Sequence, residues 1–103
     1  MKKLLSLMLV LVFLTSCGSN ASAGFNAAGC YEVDNLRLDL AAQQFSLAAQ
    51  NGDPRAVKAA DDSRKLWYLM TYSPANETFQ ELKARLADLK SVEKDVKSYC
   101  RNR

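Results

Sequence analysis

The apolar positions of this chain recur at helical intervals from Tyr31 onward, after an almost unbroken apolar run near the start. With Leu36 set at zero and each residue advanced by about 100°, Val33, Leu40 and Leu47 fall within about 60° of it. Ala41, Ala48, Phe45 and Leu38 widen that arc to roughly 200°, and Asp39, Gln43, Ser46 and Gln50 fill the remainder. An arc this wide predicts a first helix that touches more than one neighbour. Asn51-Gly52-Asp53-Pro54 closes it. Gly52 suits the left-handed closing position, Asp53 an N-cap, and Pro54 the first position of the next helix. A second helix is predicted from Pro54 to about Tyr72, with Asp61-Asp62-Ser63 as the place where it would fray or kink. Ser73-Pro74 repeats the cap-then-proline signal and opens a third helix reaching Cys100. Phe79, Leu82, Leu86, Leu89, Val96 and Cys100 form its seam, at spacings of three and four interrupted by Glu93. Glu77 and Glu81 early, with Lys94, Lys97 and Arg101 late, complement the helix dipole. No stretch alternates as a strand does. The expected fold is all-α: a small three-helix bundle, or a four-helix one if the second helix is broken.

Ahead of these helices, Met1-Lys2-Lys3 precedes an apolar run from Leu4 to Leu14. A helix of eleven residues spans roughly 16 Å, about half the hydrocarbon core of a bilayer, so the run reads as the core of a signal peptide. Directly after it stands Leu14-Thr15-Ser16-Cys17. This resembles the lipobox of bacterial lipoproteins, in which a leucine and two small residues precede the cysteine. The resemblance covers residues 1–17. It implies removal of residues 1–16, acylation of Cys17 at its sulfur and new amino terminus, and stable anchoring through three acyl chains. Gly18, where an aspartate would retain such a protein elsewhere, implies the outer membrane facing the periplasm in a Gram-negative cell. A competing reading is an ordinary secretory cut after Ala23, since Ala21-Ser22-Ala23 has the A-x-A form. That site lies nine residues beyond the apolar run and leaves Cys17 without a role. Residues 18–29 carry no charge, three glycines and mostly small side chains, the composition of a flexible tether. The expected divisions are a signal peptide at 1–16, lipidated cysteine and tether at 17–30, and a helical domain at 31–103.

Composition narrows the chemistry. A chain of 103 residues with 49% hydrophobic and 24% charged residues is one folded domain. Its net charge of +3 comes largely from the leader, for without Lys2 and Lys3 the 14 basic residues become 12 against 11 acids. That balance gives no ground for a nucleic-acid partner. With no histidine, serine–histidine and cysteine–histidine catalysis are excluded, as are most zinc sites. Asp61 and Asp62, adjacent on a helix, point about 100° apart and cannot work as a carboxylate pair. The four glycines are scattered, so none builds a phosphate loop. The chain is therefore read as no enzyme, with no cofactor, metal or small-molecule substrate. Lys90, Lys94, Lys97, Arg101 and Arg103 are basic at helical spacing, with Glu93 and Asp95 between them. They read as a solvated face, with attraction to anionic lipid headgroups as the functional alternative.

With Cys17 acylated, Cys30 and Cys100 remain, and export to an oxidising compartment favours a disulfide. Closing a loop of about 70 residues is worth on the order of 4 kcal/mol. In an up-down-up bundle, however, the two cysteines sit at opposite ends of helices roughly 30 Å long, whereas bridged Cα atoms lie within about 7 Å. Either a helix is broken, or the helices cross steeply, or the cysteines pair between molecules; free thiols also remain open. On the second helix, Leu66, Leu69, Met70, Ala59 and Trp67 make the expected core face. Tyr68 and Tyr72 fall on the opposite side, one turn apart, where paired aromatics on a polar face suit a protein partner. The expected function is that of a small lipid-anchored envelope protein acting through protein–protein contact, in an adaptor, pilotin-like or exclusion-type role. The alternative is a structural or membrane-perturbing lipoprotein.

Overall fold

A computed structural model describes residues 21–102, which form four helices: α1 (Ala21–Asp34), α2 (Leu38–Gln50), α3 (Ala56–Thr71) and α4 (Phe79–Arg101). Among the described residues there is no strand. The apolar leader, the lipobox and Cys17 lie outside the described residues. Each helix packs on the next in the chain, and α1 also meets α4. Short connections make successive helices run in opposite senses, so a fourth helix brings its C-terminal end back to α1. There Cys30 and Cys100 form an intramolecular disulfide, with Cα atoms 5.7 Å apart.

The break that permits this is not at Asp61–Ser63. α3 runs through those residues unbroken. Lys58 pairs with Asp62 at 2.6 Å and Arg64 with Asp61 at 2.7 Å, so both carboxylates are balanced on the surface, and Ser63 is fully buried. The break falls instead within the expected first helix, at Asn35-Leu36-Arg37. The Arg37 N–H donates to the Glu32 carbonyl at 2.9 Å and the Leu36 N–H to that of Val33 at 3.0 Å, with Leu36 at a φ of 59°. This is a Schellman closure whose left-handed position holds leucine instead of glycine. The residue bears a cost of roughly 1–2 kcal/mol there, which the packing of α1 back onto α2 offsets. Glu32 and Arg37 pair across the turn, and the Arg37 guanidinium lies 5.7 Å from the Tyr31 ring centre.

The expected tether is also corrected. Residues 21–30 are helical, and Asn26, Gly29 and Cys30 are buried. Small uncharged side chains suit a linker, but they equally let two helices approach closely. At Gly29 that approach is extreme, since a Cβ built there would lie 2.5 Å from Cε1 of the fully buried Phe45 ring. Helical, partly buried chain therefore extends to at least Ala21, ten residues before Tyr31.

The turn between α2 and α3 follows the sequence. Gly52 has a φ of 109°, and the Asp53 N–H reaches back to the Ala48 carbonyl at 3.1 Å. Asp53 Oδ1 accepts the Arg55 N–H at 3.1 Å within the turn, but α3 starts at Ala56, two residues later than the expected Pro54, and its N-cap position is Arg55, with no side-chain cap. α4 likewise starts at Phe79, later than the Ser73-Pro74 signal predicts. Thr78 is its cap, accepting the Glu81 N–H at 3.1 Å. Glu77 stays in the preceding loop and holds Arg85 through two hydrogen bonds of 2.8 and 3.1 Å, while Arg85 also donates to the Leu69 carbonyl at 2.9 Å. That clamp fastens the loop to the end of α3.

The core is rich in small residues: Ala41, Ala42, Ala48, Ala56, Ala59, Ala60 and Ser63 are buried among Leu38, Leu66, Leu69 and Val96, with Phe45 the one ring among the fully buried side chains of the described residues. The break turns the apolar arc of α2 so that Leu38, Ala41, Phe45 and Ala48 face inward and Leu40 and Leu47 lie at its edge. In α4 only Val92 and Val96 are buried, and the expected seam residues Phe79 and Leu86 are exposed.

Candidate functional site: an aromatic groove between α2 and α3

Alanines are buried on both α2 and α3, and Leu66 and Leu69 are the large side chains that α3 buries. Trp67, expected in the core, is 44% exposed, and Met70 is exposed too. Trp67 and Tyr68 of α3, with Asp39, Gln43 and Leu47 of α2, line an open groove of about 700 Å³. Arg64 crosses it, donating from Nη2 to Ser46 Oγ at 2.7 Å while its Nη1 holds Asp61. This bridge fixes the spacing of the two walls.

Tyr68 and Tyr72 stand where the helical spacing puts them. They are 52% and 46% exposed, and their rings stack with centroids 5.0 Å apart and planes 13° from parallel. Tyr68 also lines the groove, whereas Tyr72 follows the last turn of α3 in extended backbone. Stacked rings lose little side-chain freedom when covered, because each already restrains the other. An indole, a phenol and a leucine around an open groove with polar edges, with the Tyr72 ring stacked beside it, can take up apolar side chains from another polypeptide. Spacing alone separates Tyr68 from Trp67 by about 100° and does not show that both lie at the surface.

A second cluster of functional groups lies at the disulfide end and joins three parts of the fold. Asn26 Nδ2 donates to Asp53 Oδ2 at 2.9 Å, and the Tyr99 hydroxyl lies 2.7 Å from Asn26 Oδ1 and 3.2 Å from Asp53 Oδ2. Burial works against the charge on Asp53, but hydrogen bonds from Arg55, Asn26 and Tyr99 outweigh it and hold the carboxyl below its ordinary range. Burial, with the Asp53 charge beside it, pushes the Tyr99 phenol up to about 12. These groups satisfy one another, and Tyr99 also meets Phe45 edge-on at 5.4 Å. The cluster ties α1 to the α2–α3 turn and α4.

Cys30 and Cys100 are brought together, and Tyr68 and Tyr72 are brought together, at separate places. Among the described residues no group of three or more histidine, cysteine or acidic side chains is placed to hold a metal ion. No helix among them is long and apolar enough to cross a membrane. Comparison with protein-family models, with curated proteins and with solved structures gives no match.

Proposed function

We propose that this protein is a small lipoprotein of the bacterial cell envelope, anchored through Cys17, that acts by binding a protein partner at the α2–α3 groove. The stacked, half-exposed Tyr68–Tyr72 pair beside Trp67 carries the reading, because it offers rigid aromatic area where solvent can reach it. The lipobox resemblance of Leu14-Thr15-Ser16-Cys17 supports the anchor, and Gly18 supports the outer membrane, facing the periplasm, as its place. The helical domain would then hold its partner near the bilayer, in an adaptor, pilotin-like or exclusion-type role.

The experiment is crosslinking in intact envelopes with the Tyr68→Ser, Tyr72→Ser double variant. Neither ring is buried, so helical circular dichroism and melting should hardly change, while the yield of the crosslinked complex falls roughly tenfold or more, as loss of an aromatic hot spot predicts. Normal crosslinking by the folded double variant refutes the groove. Unfolding of that variant would show the tyrosines to be structural. For the anchor, Cys17→Ala should abolish acyl labelling, and unchanged labelling refutes it.

A further inference from the structure

The basic residues of α4 form one continuous line. On a helical projection Lys83, Lys90, Lys94, Lys97 and Arg101 fall within about 60° of one another, and the line runs for about 27 Å along the axis. All five are exposed. Asp95, which lies between two of them in the sequence, is on the other flank, where Lys58 of α3 reaches it at 3.6 Å. Glu81 and Asp88 fall on that same flank, at successive spacings of seven. Glu93 is the acid nearest the line, and it is paired with Lys97 at 2.7 Å. Asp34 of α1 borders the hollow beside Lys97 and Arg101. Lys83, Lys90 and Lys94 form no ion pair among the described residues.

Bordering this line, at the first turns of α4, are Phe79 and Leu86, with Leu82 half-buried next to them. Phe79 is 77% exposed. These residues fall within about 60° of the lysine line on the same projection. One edge of the helix thus combines bulky apolar tips with the cations Lys83, Lys90 and Lys94; Glu93, which lines the same hollow as Leu86, is its one acid and is paired with Lys97, while Glu81, Asp88 and Asp95 face elsewhere.

We infer that this edge of α4 docks on an anionic bilayer surface, with the lysines meeting lipid phosphates and Phe79 and Leu86 entering the headgroup boundary. Charge complementarity selects the occupant. A row of cations along one helix, walled only at its C-terminal end by α1, fits a broad planar polyanion better than a peptide needing a groove. An apolar tip beside that row is what a helix lying in the interface plane requires. A second copy of the chain is disfavoured, because pairing the Phe79–Leu82–Leu86 stripe with itself would bring Lys83 and Lys90 against like charges. The docking goes beyond the partner groove and is independent of it, since the groove lies between α2 and α3.

The test uses the full chain carrying Trp67→Phe and Phe79→Trp, so that one indole reports from the apolar tip. It is mixed with vesicles of phosphatidylcholine alone, or of phosphatidylcholine with a minority of phosphatidylglycerol, each doped with brominated lipid. The expected result is a blue shift and bromine quenching in the anionic vesicles, lost at high salt and absent in the neutral ones. Adding Lys83→Gln, Lys90→Gln and Lys94→Gln should shift the docking equilibrium about 100-fold, at roughly fivefold per lysine near an anionic surface. Circular dichroism verifies that this variant is folded, and all three positions are exposed. Equal quenching in both vesicle types, or quenching retained by the triple-glutamine chain, overturns the inference. No quenching by anionic vesicles, with a blue shift on adding polyglutamate, overturns it in favour of an acidic polypeptide. Because the indole reads α4 locally, failure here is distinct from failure of acylation at Cys17 or of the tyrosine surface.

Discussion

Replacing Gly29 with alanine inserts a single methyl between α1 and the Phe45 ring. That carbon would stand 2.5, 2.7 and 2.9 Å from three ring atoms, Cε1, Cδ1 and Cζ. Phe45 has no exposed surface and meets Tyr99 edge-on, so the ring cannot swing into solvent. Helix propensity alone favours alanine by about 1 kcal/mol. Overpacking a tight core costs roughly 1–3 kcal/mol, and three ring contacts under van der Waals distance put this site at the upper end. The net expectation is a loss of about 2 kcal/mol, read as a melting point lower by about 10 °C for a domain of this size. The assay is thermal circular dichroism on the oxidised chain. Shrinking the ring should reverse the sign: in a Phe45→Leu background, Gly29→Ala should be neutral or stabilising, giving a coupling of roughly 1–3 kcal/mol between the positions. An unchanged or raised melting point for Gly29→Ala with Phe45 intact refutes the packing, and would return residues 21–30 to the tether that their composition suggests.

The Cys30–Cys100 bond closes a separation of 70 residues, so Cys30→Ser or Cys100→Ser should lower stability by on the order of 4 kcal/mol. Non-reducing electrophoresis should show a compact monomer that slows with reductant, and a dimer band instead would refute the intramolecular bond. Titration of the Asn26–Asp53–Tyr99 cluster gives two limbs of opposite sign. The depressed carboxyl of Asp53 stabilises the fold above its ordinary value of 3.8, and that contribution disappears as pH falls below it. The raised phenol of Tyr99 stabilises the fold fully below its ordinary value of 10.0, and that contribution is lost as pH rises toward about 12. Melting followed across pH should show both limbs, and Tyr99→Phe should flatten the alkaline one; an unaltered alkaline limb refutes the assignment.

Signals with a specific local backbone meaning are legible in the amino-acid sequence. Gly52 closes α2 at a positive φ because few residue types tolerate that position, and the turn it opens carries the chain through Asp53-Pro54 to α3, which starts two residues later than expected. The side-by-side placement of Tyr68 and Tyr72 follows from one turn of helix, and they do stack. The capping box Thr78-x-x-Glu81 is equally visible as a pattern, yet the proline at 74 is the stronger local signal and sets the expected start of α4 too early. The break at Leu36 has no such marker. A leucine at positive φ is a local loss accepted for tertiary gain: folding α1 back along α2 brings Val33, Phe45 and Cys30 into one core. Residues 21–30 mislead for a related reason. Their composition has two uses, linker or close-packed helix, and the partner that decides between them, Phe45, is 16 residues beyond Gly29 in the chain.

The distribution of side-chain size links the fold to the proposed surfaces. Selection for stability alone would bury Trp67 and Phe79, since each large aromatic removed from water contributes more than the alanines that occupy the interior. Six alanines and Ser63 take much of the interior beside Leu38, Phe45, Leu66 and Leu69, while Trp67, Tyr68, Met70, Tyr72, Phe79 and Leu86 face outward. The disulfide, the Asp53 cluster and the Glu77–Arg85 clamp supply cohesion that an alanine core lacks. All three are independent of the exposed aromatics, so those residues can be replaced without dismantling the fold. On the proposed reading, their separation into a groove on α2–α3 and an edge on α4 would let one domain hold a protein on one side and a bilayer on another. A protein fixed to a membrane would gain from that division, because docking α4 would restrict the orientations of the groove and raise the effective concentration of the aromatic surface for a partner at the same membrane.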